Sequence, residues 1–261
     1  MRPHIAFLDS GAGGLPYLSR TRELLPDAVY SYVGDPAFFP YGQKTPDTLI
    51  DIITANTERI IGRLKPDMIV IACNTASVVA LETLRRRFDL PFVGVVPAVK
   101  PAAGMSKNGR IGILATSETV GNPYTQHLID AFACGTEVFR FAGVDIVNLV
   151  EQRFFSVTEA EKRTVLEDAA TYFVSNRVDA VVLGCTHFLH VKTELSELMN
   201  GTAVVDSVEG VARQVLRIAA EVSNTADAPQ ASLYLASATD NPHCLDRFAD
   251  RFLLEYKGAL N

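Results

Sequence analysis

No stretch of this 261-residue chain approaches the roughly 20 consecutive apolar residues that a membrane span requires. The start, Met1-Arg2-Pro3-His4-Ile5-Ala6, lacks the charged and then apolar layout of a secretion signal. Cysteine is scarce: Cys73, Cys134, Cys185 and Cys244 stand far apart, and none forms a Cys-x-x-Cys pair. That excludes a disulfide scaffold and disfavours a thiol redox protein; the expected setting is the cytoplasm, with reduced thiols. Basic residues are too few to dominate. The 24 Lys and Arg against 30 Asp and Glu leave a net charge of −6, so neither nucleic acid nor an anionic membrane is an expected partner. Cys185, His187 and His190 match no usual zinc spacing and have no second pair, so no metal is expected. Low-complexity sequence is absent. What remains is a chain that is 48% hydrophobic, enough for a large core in one big domain or two small ones.

The pattern centres on Asp67-Met68-Ile69-Val70-Ile71-Ala72-Cys73-Asn74-Thr75-Ala76-Ser77. It opens as a continuous apolar run, the mark of a strand buried on both faces. A helix is expected from Ser77 to Phe88. A cysteine at the carboxyl end of such a strand sits where open α/β sheets bind ligands, and a helix start favours thiolate. The plan recurs in Asp179-Ala180-Val181-Val182-Leu183-Gly184-Cys185-Thr186-His187, with Asp and Cys at a common spacing. Free cysteine is by default a buried packing residue. Duplication argues otherwise for Cys73 and Cys185, while Cys134 and Cys244 read as packing residues.

Around these stretches the chain alternates strand and helix. Ile5–Leu8 reads as a strand entering the Gly-rich turn Asp9-Ser10-Gly11-Ala12-Gly13-Gly14, with Pro16 in the first turn of a helix. No Lys-Ser/Thr follows, so the turn is not a P-loop. Either it is a tight connection with Asp9 capping it, or its N–H groups meet a carboxylate while Asp9 points into a cleft. Val29–Val33 is a second strand. Thr45-Pro46 opens a helix whose apolar face is Leu49, Ile50, Ile53, Ile60, Ile61 and Leu64, stopped by Pro66. Pro91–Val96 is a fourth strand. A second series starts at Arg110–Leu114, with Asn122-Pro123 capping a helix, a strand at Val138–Phe141, and Thr158–Glu161 spaced as a capping box. The Cys185 strand, a helix from about His190, a strand at 202–205 and a helix through Val211, Val215, Ile218 and Val222 complete it. A polar linker (Asn224–Gln230), a possible edge strand at Leu233–Ala236, and a final helix capped by Asn241-Pro242 and packing Leu245, Phe248, Phe252 and Leu253 follow. The order predicts an α/β fold of two pseudo-symmetric parallel-sheet domains, residues 1–97 plus 209–261 and residues 98–208, with the active site in the cleft between them.

Six short motifs, in order, resemble the glutamate racemase family of the aspartate/glutamate racemase superfamily: Asp9-Ser10-Gly11; Gly34-Asp35 with Pro40-Tyr41-Gly42; Ala72-Cys73-Asn74-Thr75-Ala76-Ser77; Gly94-Val95-Val96-Pro97; Leu183-Gly184-Cys185-Thr186-His187; and Val205-Asp206-Ser207. The resemblance covers nearly the whole chain. It implies racemisation of L- to D-glutamate without a cofactor, for peptidoglycan, by two catalytic cysteines, Cys73 and Cys185. By the same resemblance Asp9, His187 and Glu151 assist the thiols. Asp9, Ser10, Tyr41, Gly42, Asn74, Thr75, Thr186 and His187 fall at substrate-binding positions, and a homodimer is implied. The chain departs from the family at Pro36-Ala37-Phe38-Phe39, at Gly143-Val144-Asp145-Ile146 and at Phe188-Leu189.

The residue types suit that chemistry. An amino-acid Cα–H is a very weak acid, and no pyridoxal lysine signature is visible. Inversion needs one group to take the proton on one face and another to deliver it on the other. A racemase for aspartate or another amino acid, and an inactive homologue acting as a binding or inhibitory module, are the alternatives; Asp9 as a turn cap and Glu151 as a surface charge at a helix end are the plain readings of those two residues.

Overall fold

A computed structural model describes residues 2–222 and 230–260; most of the expected linker Asn224–Gln230 lies outside them. The chain divides into two compact units, Met1–Val95 with Val208–Asn261, and Val96–Ser207.

The first unit begins with β1 (His4–Asp9), α1 (Leu15–Leu24), β2 (Val29–Gly34), α2 (Pro46–Leu64), β3 (Met68–Ile71), α3 (Asn74–Arg87) and β4 (Phe92–Gly94). The second carries α4 (Val99–Met105), β5 (Arg110–Ala115), α5 (Ser117–Gly121), α6 (Pro123–Phe132), β6 (Glu137–Ala142), α7 (Val144–Asn148), α8 (Glu159–Ser175), β7 (Ala180–Leu183), α9 (Lys192–Leu198) and β8 (Ala203–Val205). The chain then returns to the first unit with α10 (Val208–Ala219), β9 (Ala231–Leu235), α11 (Leu245–Arg251) and β10 (Glu255–Ala259).

Each unit holds one parallel sheet, ordered β10-β9-β2-β1-β3-β4 in the first and β6-β5-β7-β8 in the second. The central strands β3 and β7 are apolar throughout and wholly buried, and β1 is buried from Ile5 to Asp9, as a sheet covered on both faces demands. The repeated aspartates do matching structural work. Asp67 accepts from the His4 N–H at 2.7 Å. Asp179 accepts from Ser106 Oγ at 2.6 Å and from the N–H groups of Lys107 and Asn108 at 2.7 and 2.9 Å. Each fastens the segment entering the neighbouring strand.

Several expectations need correction. The stretch at 233–236 is no edge: β9 pairs with β2 on one side and β10 on the other. The edge is β10, whose sequence Glu255-Tyr256-Lys257-Gly258-Ala259 lacks an apolar run; its register shifts between Tyr256 and Ala259, where Gly258 takes φ +73°, the left-handed backbone of a bulge. Leu253 is not packed but 81% exposed, because φ +54° turns the chain out of the helix and leaves Leu254 as the buried residue. That helix starts at Leu245 rather than after Asn241-Pro242. The fourth strand is shortened to Phe92–Gly94, since the Val95 N–H donates to Ser77 Oγ instead of continuing a ladder. Val222 lies beyond α10. On α2 the buried face also takes in Ile52, Thr54 and Asn56, whereas Ile50 and Ile61 are only partly buried. Cys134 is exposed rather than packed, in the turn before β6.

Candidate active site

In the first unit three segments leave the carboxyl ends of adjacent strands. β1 pairs with β2 and with β3, so Asp9, Asp35 and Cys73 emerge along one edge. The Asp35 N–H donates to the Asp9 carbonyl at 3.0 Å and the Ala72 N–H to the Leu8 carbonyl at 2.7 Å. Gly14 is forced by crowding: a Cβ there would meet the Cβ of Ala72 at 2.6 Å and its carbonyl oxygen at 2.8 Å. The Asp9 carboxylate accepts from the N–H groups of Ser10 and Gly14, both at 2.6 Å, and from Tyr32 Oη at 3.3 Å. Asp9 therefore caps its own turn, and those two N–H groups are not offered to a ligand carboxylate.

Cys73 is buried, with φ −131° and ψ 127°, at the residue before α3. The helix begins at Asn74, not at Ser77. Ser77 instead donates from Oγ to the Ile71 carbonyl at 2.9 Å and accepts from Val95 at 2.9 Å. One hydroxyl thus ties the first turn of α3 to β3 and to the chain after β4, fixing the cysteine backbone. Asn74 and Thr75 occupy that first turn. Both amide atoms of the Asn74 side chain are buried without a hydrogen-bond partner. An unpaired buried amide costs about 1–3 kcal/mol per group, and marks a place for a polar ligand atom.

Tyr41 follows in a short 3-10 turn, Tyr41–Gln43, and is wholly buried beside Cys73 in one cluster. Its Oη donates to Asp35 Oδ2 at 2.8 Å, the atom that also accepts from Asn56 Nδ2 at 2.8 Å. Arg59 Nη1 donates to Asn56 Oδ1 at 2.9 Å and to the Ala236 carbonyl at 2.7 Å. Burial raises the Asp35 carboxyl above the usual range, partly offset by the Tyr41 and Asn56 hydrogen bonds. Burial, with Asp35 next, holds Tyr41 well above 10, so it stays a neutral donor. Gly42, half-buried, continues this turn. Phe39 packs its ring against His243 at 5.2 Å, while Phe38 is 42% exposed.

In the second unit Cys185 ends the β7 segment with φ −137° and ψ 137°. The helix expected at about His190 is resolved into a 3-10 stretch, Thr186–Val191, and then α9. His187 Nδ1 lies 3.7 Å from Cys185 Sγ, and His187 Nε2 lies 2.8 Å from Glu151 Oε2. Glu151 sits in a single π-helical turn, Leu149–Arg153, and is fully buried; it is no surface charge. Burial pulls the His187 imidazole down, but the Cys185 sulfur and Glu151 outweigh it and raise it well above its ordinary 6.5. Thr186 is buried in the same turn. His190 stacks edge-on against Phe154 at 5.9 Å, and no group of three or more potential metal ligands occurs among the described residues.

The sequence-derived set thus falls into two groups. Asp9, Ser10, Tyr41, Gly42, Cys73, Asn74 and Thr75 belong to the first unit; Glu151, Cys185, Thr186 and His187 to the second. Asp35, Asn56 and Ser77 were missed as support. The signal for Asp35 was present, a carboxylate between a Gly and a Pro at a strand end; Asn56 was hidden on an apolar helix face.

The family description Asp/Glu/hydantoin racemase matches residues 18–215. The chain is 42% identical over 225 residues to the glutamate racemase of Glaesserella parasuis serovar 5 (strain SH0165), covering 85% of this chain and 83% of that one. It is 43% identical over 220 residues to that of Sphingopyxis alaskensis (strain DSM 13593 / LMG 18877 / RB2256), covering 82% and 81%. Its fold is similar to the crystal structure of Escherichia coli glutamate racemase in complex with L-glutamate and an activator, UDP-MurNAc-Ala, with a TM-score of 0.89 and 34% identity over 99% and 98% of the two chains.

Proposed function

The chain belongs to the Asp/Glu/hydantoin racemase family and is an isomerase, and we propose that it interconverts L- and D-glutamate without a cofactor through Cys73 and Cys185. The observation that carries this reading is the recurrence of one buried, extended cysteine at the carboxyl end of the third strand of each unit. A thiolate takes the α-proton from one face while a thiol returns one to the other. In the direction the resemblance implies, Cys73 deprotonates D-glutamate and Cys185 deprotonates L-glutamate. His187, held by Glu151, orients toward Cys185 and carries the positive charge that favours its anion. The Asn74 amide, with Thr75, Ser10, Thr186 and the Tyr41-Gly42 turn, receives the substrate's carboxylate and ammonium groups. The scarcity of Lys and Arg in these motifs suits capture of an anion by amides and by the N–H groups at the start of α3. Glutamate is the substrate the relatives' names and the Escherichia coli complex point to. The product serves peptidoglycan, and the enzyme acts as a cytoplasmic homodimer.

The test is solvent deuterium entry at Cα, read by proton NMR, for L-glutamate, D-glutamate and L-aspartate. Exchange with inversion of glutamate alone, lost in Cys73→Ser and in Cys185→Ser, is the expected result. Exchange of aspartate instead would move the substrate. No exchange from a folded protein with free thiols would leave a binding module.

A further inference from the structure

We propose that Asp35, acting through Tyr41, is a positioning residue for Cys73, the first unit's counterpart of the Glu151–His187 pair behind Cys185; this rests on the two-thiol reading above. β2-β1-β3 and β6-β5-β7 carry the same sequence of strands, so the segment after β2 corresponds to the segment after β6. After β6 that segment supplies Glu151, whose carboxylate holds the side chain next to Cys185. After β2 it supplies Asp35, whose carboxylate holds the side chain of Tyr41 at 2.8 Å, and Tyr41 shares a buried cluster with Cys73.

The built quality of this arrangement points the same way. Asp35 is fully buried. One oxygen, Oδ2, receives both Tyr41 Oη and Asn56 Nδ2, while Oδ1 is buried with no partner. A protein that keeps an unpaired buried carboxylate oxygen bears a cost, one that a threonine or apolar residue at 35 would avoid. The Asn56–Arg59–Ala236 chain braces the carboxylate from α2 and from the end of β9. The whole assembly fixes Tyr41, and with it the 3-10 turn that contacts α3. The direct donors to the Asp35 carboxylate, Tyr41 Oη and Asn56 Nδ2, are both neutral, with the Arg59 charge one hydrogen bond further away, so the positioning is assigned to the acceptor oxygen.

That distinction sets the variants. Asp35→Ala removes the acceptor. Asp35→Asn keeps an amide oxygen for Tyr41 and Asn56 and puts its NH2 where Oδ1 now lies. Tyr41→Phe keeps the ring and its packing while cutting the hydrogen bond, which guards against a fold-level effect of the alanine. Enantiomers have equal free energy, so kcat/KM cannot differ between directions. Isotope effects can. With α-deuterated D- and L-glutamate, Asp35→Ala and Tyr41→Phe should each lower kcat about tenfold with KM held within about twofold. The substrate isotope effect should rise only in the direction in which Cys73 removes the proton. Asp35→Asn should return both readings to within about twofold of wild type. Equal change in the two directions, loss confined to KM, or failure of Asp35→Asn to rescue would overturn the proposal. Cys73→Ser and Cys185→Ser run alongside: if both still racemise, the two-thiol reading has failed; if both are inactive while Asp35→Ala behaves as wild type, only the present inference has.

Discussion

The two units solve one problem with different parts. Both present a cysteine with nearly the same backbone, φ −131° and ψ 127° in one and φ −137° and ψ 137° in the other, at the end of the third strand of a matching sheet. Yet Cys73 leads straight into an α-helix and has a neutral phenol nearby, whereas Cys185 leads into a 3-10 stretch and has an imidazole held by a buried carboxylate. The duplicated fold fixes where a thiol stands. The support behind it was free to diverge, because a proton acceptor and a proton donor each work with any neighbour that orients them and compensates charge.

The comparison can be broken most strongly at the thiols. Cys73→Ser and Cys185→Ser should each lower racemisation about 10³-fold or more, measured by circular dichroism of glutamate turnover; a surviving variant would mean that one unit alone suffices. Next comes the carboxylate behind His187. Glu151→Gln should reduce kcat roughly 10–100-fold and move the alkaline limb of the pH–rate profile to lower pH. The sign follows from His187 being raised above its unfolded value: its imidazolium stabilises the fold fully below about 6.5 and the contribution is lost as pH rises through the higher folded value. Without Glu151 part of that rise is gone, and burial weighs more heavily against the remaining contribution of Cys185. The corresponding change in the first unit, Asp35→Asn, should leave the limb where it is. Asn74→Ala should raise KM about tenfold, one hydrogen bond's worth, with kcat less affected; a KM unchanged in steady-state assays would remove the amide from substrate contact. The smallest expected effect is away from both sites. Thr158→Ala breaks the capping box of α8 and should cost about 1 kcal/mol in urea unfolding with kcat unaltered.

Much of this was legible beforehand, for reasons that vary by element. The apolar runs at 68–71 and 180–183 admit only buried strands, and Thr45-Pro46 and Thr158 with Glu161 carry their caps in the sequence. β10 was missed because an exposed edge strand has no reason to be apolar; Glu255 and Lys257 pair with each other instead. The early start of α3 was missed because Ser77 looks like a cap, yet its hydroxyl is turned back to β3. Glu151 was the hardest residue to weigh. Nothing in Asn148-Leu149-Val150-Glu151-Gln152 reveals a π-helical turn, and a charge there is normally solvated. Asp9 was read either as a turn cap or as a side chain aimed into a cleft, and its bonds to Ser10 and Gly14 are those of a turn cap. Duplication was what singled out the two cysteines, since a repeated residue on a repeated strand is rarely a packing accident.

The split of the first unit has a consequence for the order in which the chain can be built. β2 needs β9 as its outer neighbour, and the ribosome adds the whole second unit in the meantime. At about 5–20 residues per second, the open flank of β2 waits on the order of tens of seconds for its partner. The second unit is continuous in sequence and can close as soon as β8 emerges. Nascent chains stalled once β8 has cleared the ribosome, but before β9 has, should therefore protect the Cys185 segment from protease while the sheet around Cys73 is still incomplete.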